Sequence, residues 1–199
     1  FLQVLIEVYR RLSTVRVSYP APRRISLSIA MDVPQEFLGP SSGGERLLTL
    51  TSGLFAVLGR RFGMFREVRR SKVTAADAST GMLSDLECIS SQGEVVLAVE
   101  VKDRELTITQ LRKTMSDIRQ KQVSEIFLIA QKGVARGDEQ SVANHIDKEF
   151  ASGHNVYVTE ILALARAVLS LLGETGRQEF VKEVASHLDR YGSDIRHRR

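Results

Sequence analysis

Apolar positions along this chain recur with two periods, about 3.6 residues in some stretches and two in others, which separates expected helices from expected strands. The opening run Phe1-Leu2-Gln3-Val4-Leu5-Ile6-Glu7-Val8-Tyr9 reads as the inside of an amphipathic helix. From there to about Gly44 the pattern is weakly periodic. That stretch holds all four prolines and ends in Pro40-Ser41-Ser42-Gly43-Gly44, a loop signal. Glu45 to Phe62 returns to helical spacing, with Leu47, Leu48, Leu54, Phe55 and Leu58 on one broad face and Gly63 as the exit.

A polar connection follows, and then Asp85-Leu86-Glu87-Cys88-Ile89-Ser90 alternates as a half-buried strand does. Ser91-Gln92-Gly93 is a short turn, and Glu94 to Lys102 is the next strand, so the two should form an antiparallel hairpin. Thr107 to Gln122 is helical by spacing, with Ile108, Leu111, Met115 and Ile118 on one stripe, and Ile126 to Ala130 is a compact buried strand. A helix over Glu139 to Phe150, a short strand over Val156 to Val158, and helices over Ile161 to Leu172 and Arg177 to Tyr191 complete the reading. Strand and helix alternation after the hairpin requires right-handed crossovers and parallel pairing. The expected fold class is therefore α/β, with a mixed sheet, antiparallel at the hairpin end and parallel beyond it, and helices on both faces. The expected division is residues 1–44 as an N-terminal helix and proline-containing segment, 45–160 as the core, and 161–199 as a C-terminal helical extension. No internal repeat or low-complexity segment is visible.

Composition narrows the possibilities. The chain has 199 residues, 43% of them hydrophobic, and a mean hydropathy of −0.10, which suits a packed domain and not a disordered one. It has no uninterrupted apolar run long enough to span a bilayer, so no membrane partner is expected. A single cysteine, Cys88, excludes an internal disulfide, argues against cysteine-bound zinc and fits a reducing cytoplasm. Phe1 stands where Met would, and the start lacks the basic and cleavage regions of a signal peptide, so the chain is expected to be part of a longer protein. The formal net charge is +4. Arginines and lysines crowd at Arg23-Arg24, at Arg60-Arg61, Arg66, Arg69-Arg70 and Lys72, and in the tail Arg196-His197-Arg198-Arg199. Such clusters can follow a phosphate backbone; a solvated helix end or an ordinary basic terminus is the plainer alternative, preferred for the tail.

The chemistry concentrates at Glu100-Val101-Lys102. Residues two apart in a strand share a face, so Glu100 and Lys102 project together from the end of an apolar strand while Val101 points the other way. Burying such charges is costly unless they are paired or bound to metal. Asp85 opens the neighbouring strand, and the hairpin turn carries it to the same sheet edge. Two carboxylates, with a backbone carbonyl such as that of Val101, make a hard oxygen site suited to Mg²⁺. A metal there would polarise a phosphoryl oxygen and lower the pKa of a water. Lys102 would orient that water and stabilise developing negative charge.

Ser84-Asp85, then Glu100-Val101-Lys102, on a hairpin flanked by helices, resembles the PD-(D/E)xK nuclease superfamily over about Glu45 to Val158. Ser84 stands where the pattern has proline. The resemblance implies a restriction-endonuclease-like mixed sheet and a metal-dependent phosphodiester hydrolase, with Asp85, Glu100 and Lys102 catalytic. It adds Glu45 as a further acidic catalytic residue from the preceding helix. Gln110 is similar to a glutamine of some branches, although the accompanying tyrosine is absent. The chain as a whole is similar to the SacI-like restriction endonucleases. The opening helix, the proline-containing segment, Thr74-Ala75-Ala76-Asp77-Ala78, and Glu100 to Arg104 followed by Leu106-Thr107-Ile108 carry that likeness. It implies cleavage of double-stranded DNA by a cytoplasmic homodimer, with a cognate DNA methyltransferase as functional partner. A repair or junction-resolving nuclease, and a non-catalytic DNA-binding domain of the same fold, are the alternatives.

Rival assignments stay open at this point. Glu87 shares a face with Asp85 and could replace it as metal ligand, as could Asp77. Glu45 could be only a first-turn glutamate favoured by the helix dipole. Cys88 reads as a small core residue. Asp103-Arg104 could contact DNA or shape a turn, and Arg112, Lys113, Arg119 and Lys121 read as a solvated helix face. His145, His154, His187 and His197 are too dispersed for a metal cluster. The absence of a glycine-rich loop after any strand argues against a nucleotide-type small-molecule site. Segments before Glu45 and after Val158 are expected to carry dimerisation and specificity.

Overall fold

A computed structural model of the chain describes residues 24–39, 44–71, 82–119 and 123–190. The opening helix from Phe1, the segment from Thr74 to Ala78 with Asp77, and the basic tail lie outside the described residues. The elements are α1 (Leu27–Phe37), α2 (Glu45–Phe62), β1 (Glu67–Arg70), β2 (Leu86–Ile89), β3 (Val95–Lys102), α3 (Ile108–Ile118), β4 (Glu125–Ala130), α4 (Glu139–Ala151), β5 (Asn155–Glu160), α5 (Ile161–Leu171) and α6 (Gly173–Arg190).

The strands form one sheet in sequence order, β1-β2-β3-β4-β5. The β1–β2 and β2–β3 pairs are antiparallel, and the β3–β4 and β4–β5 pairs are parallel. This is the expected mixed α/β sheet. Gly93, at φ 89°, closes the β2–β3 turn, with Ser90 N–H donating to Glu94 O at 2.8 Å. Alternation along β2 and β3 sorts side chains onto two faces. Leu86, Cys88 and Val99 join the core beneath α1, α2, α5 and α6. Ala98, Ile126, Leu128 and Ala130 join a second core beneath α3, with Val142 of α4. No helix among the described residues is long and apolar enough to cross a membrane.

The sequence pattern had left two elements unread. Helix α1 contains Pro34, whose ring removes a backbone donor. It is held by a Ser26 cap on Ile29 N–H at 3.2 Å and by the stripe Ala30, Met31, Pro34 and Leu38 buried against the core. Strand β1 is Glu67-Val68-Arg69-Arg70, three charges in four residues, with no alternation of its own; pairing with β2 makes it a strand. Helix α6 begins at Gly173, four residues ahead of the expected start. Ile25, Ile161, Ala165, Phe180 and Val184, from outside or beside the expected core boundaries, share one hydrophobic cluster with Leu47, Leu54 and Leu86.

Two glycines set how closely α2 is packed. A Cβ at Gly53 would come 2.8 Å from Val184 of α6, and one at Gly59 would come 2.2 Å from the buried Phe65 ring, itself stacked on Phe55. Gly59→Ala should therefore lower stability by about 1–3 kcal/mol, the usual cost of overpacking. Urea unfolding followed by far-UV circular dichroism measures it; no detectable loss would show that the ring moves aside freely.

Candidate functional site

Site geometry begins with the β2–β3 register. Leu86 faces Val99 and Glu87 faces Ala98, so Asp85, one residue before β2, stands across from Glu100 on the same face. Three hydrogen bonds hold the Asp85 turn. Its carbonyl accepts from Ser71 N–H at 2.9 Å, and its Oδ2 accepts from Val101 N–H at 2.9 Å. Just ahead of it, the Ser84 hydroxyl donates to Leu86 O. A strand residue's N–H and C=O project to the same side. The Val101 carbonyl therefore also points to the edge where Asp85 sits.

Glu100 and Lys102 are paired, with Nζ 3.2 Å from Oε2 and both side chains largely buried, at 17% and 25% exposure. Burial pushes the Glu100 carboxyl up to about 8 from its ordinary 4.5, and the neighbouring Asp85 carboxylate adds to the rise through charge and a hydrogen bond. The Lys102 ammonium acts against both. The sequence-predicted trio is thus gathered at one place.

Glu87 lies on the same face but one pair deeper, buried, where its Oε1 accepts from Leu83 N–H at 2.6 Å. Asp85, not Glu87, is the carboxylate that acts on Glu100. Glu87 and Ser84 instead brace the turn that presents Asp85, a supporting role the sequence reading missed. A serine next to an aspartate at a strand start, able to bond nearby backbone, was the available signal. Glu45 begins α2 and accepts from Arg70 Nη2 at 2.7 Å. Arg70 stands opposite Leu86 and so belongs to the sheet face away from Glu100, where it also donates to Thr49 Oγ1 at 2.9 Å.

Other candidates resolve into structural roles. Gln110 forms a capping box with Thr107, its Oε1 accepting from Thr107 N–H at 3.0 Å. Cys88 is fully buried, and burial pushes its thiol up to about 12, leaving it unreactive. Most of the arginine cluster is not a free phosphate track: among its described members only Arg66 is exposed without a side-chain partner. Arg60 pairs with Glu183 at 2.6 Å, Arg61 with Glu179 at 2.5 Å, Arg69 with Glu67 at 3.2 Å and Arg24 with Glu174 at 3.2 Å. Arg119 is not simply solvated either: with Nε at 3.2 Å and Nη2 it clasps Glu149, which is fully buried. His145 Nε2 and His154 Nδ1 lie 3.2 and 3.9 Å from that same carboxylate. Two of the dispersed histidines therefore do converge, although no group of three or more metal-holding side chains occurs among the described residues.

A mixed five-stranded sheet, covered by helices on both faces and carrying paired carboxylates and a lysine at its hairpin end, defines a restriction-endonuclease-like α/β domain. The family model of the SacI restriction endonuclease C-terminal domain matches residues 24–134, more than half of the chain, and the chain belongs to that family. The matched stretch contains Glu45, Asp85, Glu100 and Lys102. No curated protein matches the sequence significantly.

Because Glu100 has its folded-state value raised, the native state keeps a proton that the unfolded chain has released between about pH 4.5 and about 8. This group's contribution to stability is therefore present below pH 4.5 and is lost as pH rises toward 8. Glu100→Gln should remove that component and raise the melting temperature relative to wild type most at pH 8 and above. Thermal melts of both proteins across pH 4–9 in metal-free buffer test this; parallel curves would refute it.

Proposed function

We propose that this domain is a Mg²⁺-dependent endodeoxyribonuclease of restriction type, built on the PD-(D/E)xK pattern and acting on double-stranded DNA as a two-fold homodimer. The observation that carries this reading is the convergence of Asp85, Glu100 and Lys102 where β3 ends beside the start of β2, within the segment matched by the restriction endonuclease family. Fit to the metal rests on the donor set. Two carboxyl groups crowded into a largely buried place disfavour a second negative charge, so Glu100 keeps a proton at neutral pH, and a divalent cation would displace that proton and relieve the crowding. Mg²⁺ commonly takes only one or two carboxylates, completing its shell with waters and substrate phosphate. Asp85, Glu100 and the Val101 carbonyl would hold it.

Bound there, Mg²⁺ supplies Lewis-acid polarisation of the scissile phosphate and a lowered pKa for the attacking water. This chain's own groups do the rest. Val101 N–H keeps Asp85 Oδ2 turned toward Glu100, so the two carboxylates stay convergent without substrate. Lys102, already drawn to Glu100, presents its ammonium to the water and to the non-bridging phosphoryl oxygens, where charge grows in the transition state. Water oxygen would bond to phosphorus as the bond to the in-line leaving oxygen breaks, the water's proton passing to solvent and the leaving oxygen taking a proton from solvent. A cutter of this kind, specific for a short palindrome, also requires a protecting DNA methyltransferase in the same cell.

Incubation with plasmid DNA and Mg²⁺ should give discrete fragments. Lys102→Ala, Glu100→Ala and Asp85→Ala should each slow cleavage by about 10²-fold or more, the scale of losing one transition-state stabiliser, and chelation of the metal should abolish it. A nonspecific smear would favour a repair or junction nuclease. Duplex binding without cleavage by the wild type would leave a DNA-binding domain.

A further inference from the structure

We infer that the DNA backbone is held by the two crossover loops beside Lys102, through Arg104, Lys132 and Arg136, and not by the carboxylate-paired Arg60, Arg61 and Arg69 at the end of α2 and on β1. This rests on the nuclease reading above and specifies which cations meet the substrate.

The two loops are built as one unit. Chain leaving β3 at Lys102 runs through Asp103-Arg104-Glu105 to α3, and chain leaving β4 runs through Gln131-Lys132-Gly133 to α4. They are laced by backbone bonds from Gln131 N–H to Lys102 O at 2.8 Å, Lys132 N–H to Arg104 O at 3.4 Å, Leu106 N–H to Gly133 O at 2.8 Å and Ala135 N–H to Leu106 O at 2.9 Å. Asp138 Oδ2 accepts from Ile108 N–H at 2.8 Å, tying the starts of α3 and α4 together. Leu106 is fully buried in the core beneath Ala98 and Ala130, so this unit lies over the Glu100 and Lys102 face of the sheet.

Three cations therefore project from one laced backbone unit that follows directly on Lys102. Arg104, Lys132 and Arg136 are all exposed, and none has an ion-pair or hydrogen-bond partner for its side chain among the described residues. The contrast with the more obvious cluster is chemical. Arg60, Arg61 and Arg69 are each bound to a carboxylate, so their charge is already compensated before DNA arrives. Releasing counterions from DNA requires cations that bring net charge to the phosphates. Exposed Asp103 and Glu105 flank Arg104, so the loop pair is not a broad positive funnel. The effect belongs to individual side chains positioned on phosphates near the scissile bond, which sets register without reading bases.

The test is binding of a fluorescently labelled mixed-sequence duplex in chelator, followed by anisotropy over a range of salt. The triple variant R104A/K132A/R136A should flatten the slope of log affinity against log salt by about 2.7, from roughly 0.9 per phosphate contact, with circular dichroism unchanged. The charge-conserving triple R104K/K132R/R136K should keep the wild-type slope, and R60A/R61A should leave it unaltered. An unchanged slope in the alanine triple, a larger loss in R60A/R61A, or a wild type that binds no duplex would overturn the assignment. A wild type that binds with the expected slope yet cleaves nothing in Mg²⁺ would instead sink the nuclease reading and leave the contact standing.

Discussion

One hydrogen bond, from Val101 N–H to Asp85 Oδ2 at 2.9 Å, ties the start of β2 to the working end of β3, and the site depends on it. Strand periodicity is two, so a slip of one residue in this hairpin would send Asp85 to the opposite face from Glu100. Several features oppose such a slip. Leu86, Cys88 and Val99 are wholly buried on one face, the Gly93 turn sets the hairpin length, and Ser71 N–H fastens the Asp85 carbonyl from the other side. The register serves the core and the carboxylates together.

Within that frame the fold accepts an unfavourable arrangement. Glu100 is buried beside another carboxylate, and one lysine only partly offsets the cost. Elsewhere the protein resolves its buried charges. Arg70 has Glu45 and Thr49, and Glu149 has Arg119 with two histidines alongside. Strain of this kind, kept at one place and relieved at others, is characteristic of functional sites. The same division separates the basic residues: those that staple α2 to α6 are compensated, while those on the crossover loops remain available to a polyanion.

Legibility followed how local each signal was. Helix α2 and the β2–β3 hairpin could be read because their periodicity is strong and Gly63 and Gly93 mark their ends. The Asp85, Glu100 and Lys102 grouping followed from alternation along one hairpin. Helix α1 was hidden by Pro34 and strand β1 by its charges, since each is stabilised mainly by what it packs or pairs against. Gln110 was legible as a capping partner of Thr107 three residues before it, a simpler reading than the family likeness suggested. The meeting of His145, His154 and Arg119 at Glu149 was only half legible. The spacing of His145 and Glu149 along a helix is local, but Arg119 and His154 reach that carboxylate from outside α4.

The sequence by itself determined the fold class, the order of most elements and the three residues of the candidate site, because periodicity and hairpin parity are properties of neighbouring positions. Tertiary structure alone set Asp85 rather than Glu87 across from Glu100, paired Glu45 with Arg70, and divided the cations into carboxylate-paired and exposed, unpaired ones. Each of those outcomes depends on distances between groups far apart in the chain. Charge has no periodicity to betray its partner, and whether a carboxylate binds metal, braces a turn or neutralises an arginine is settled only by what the fold brings within about 3 Å of it.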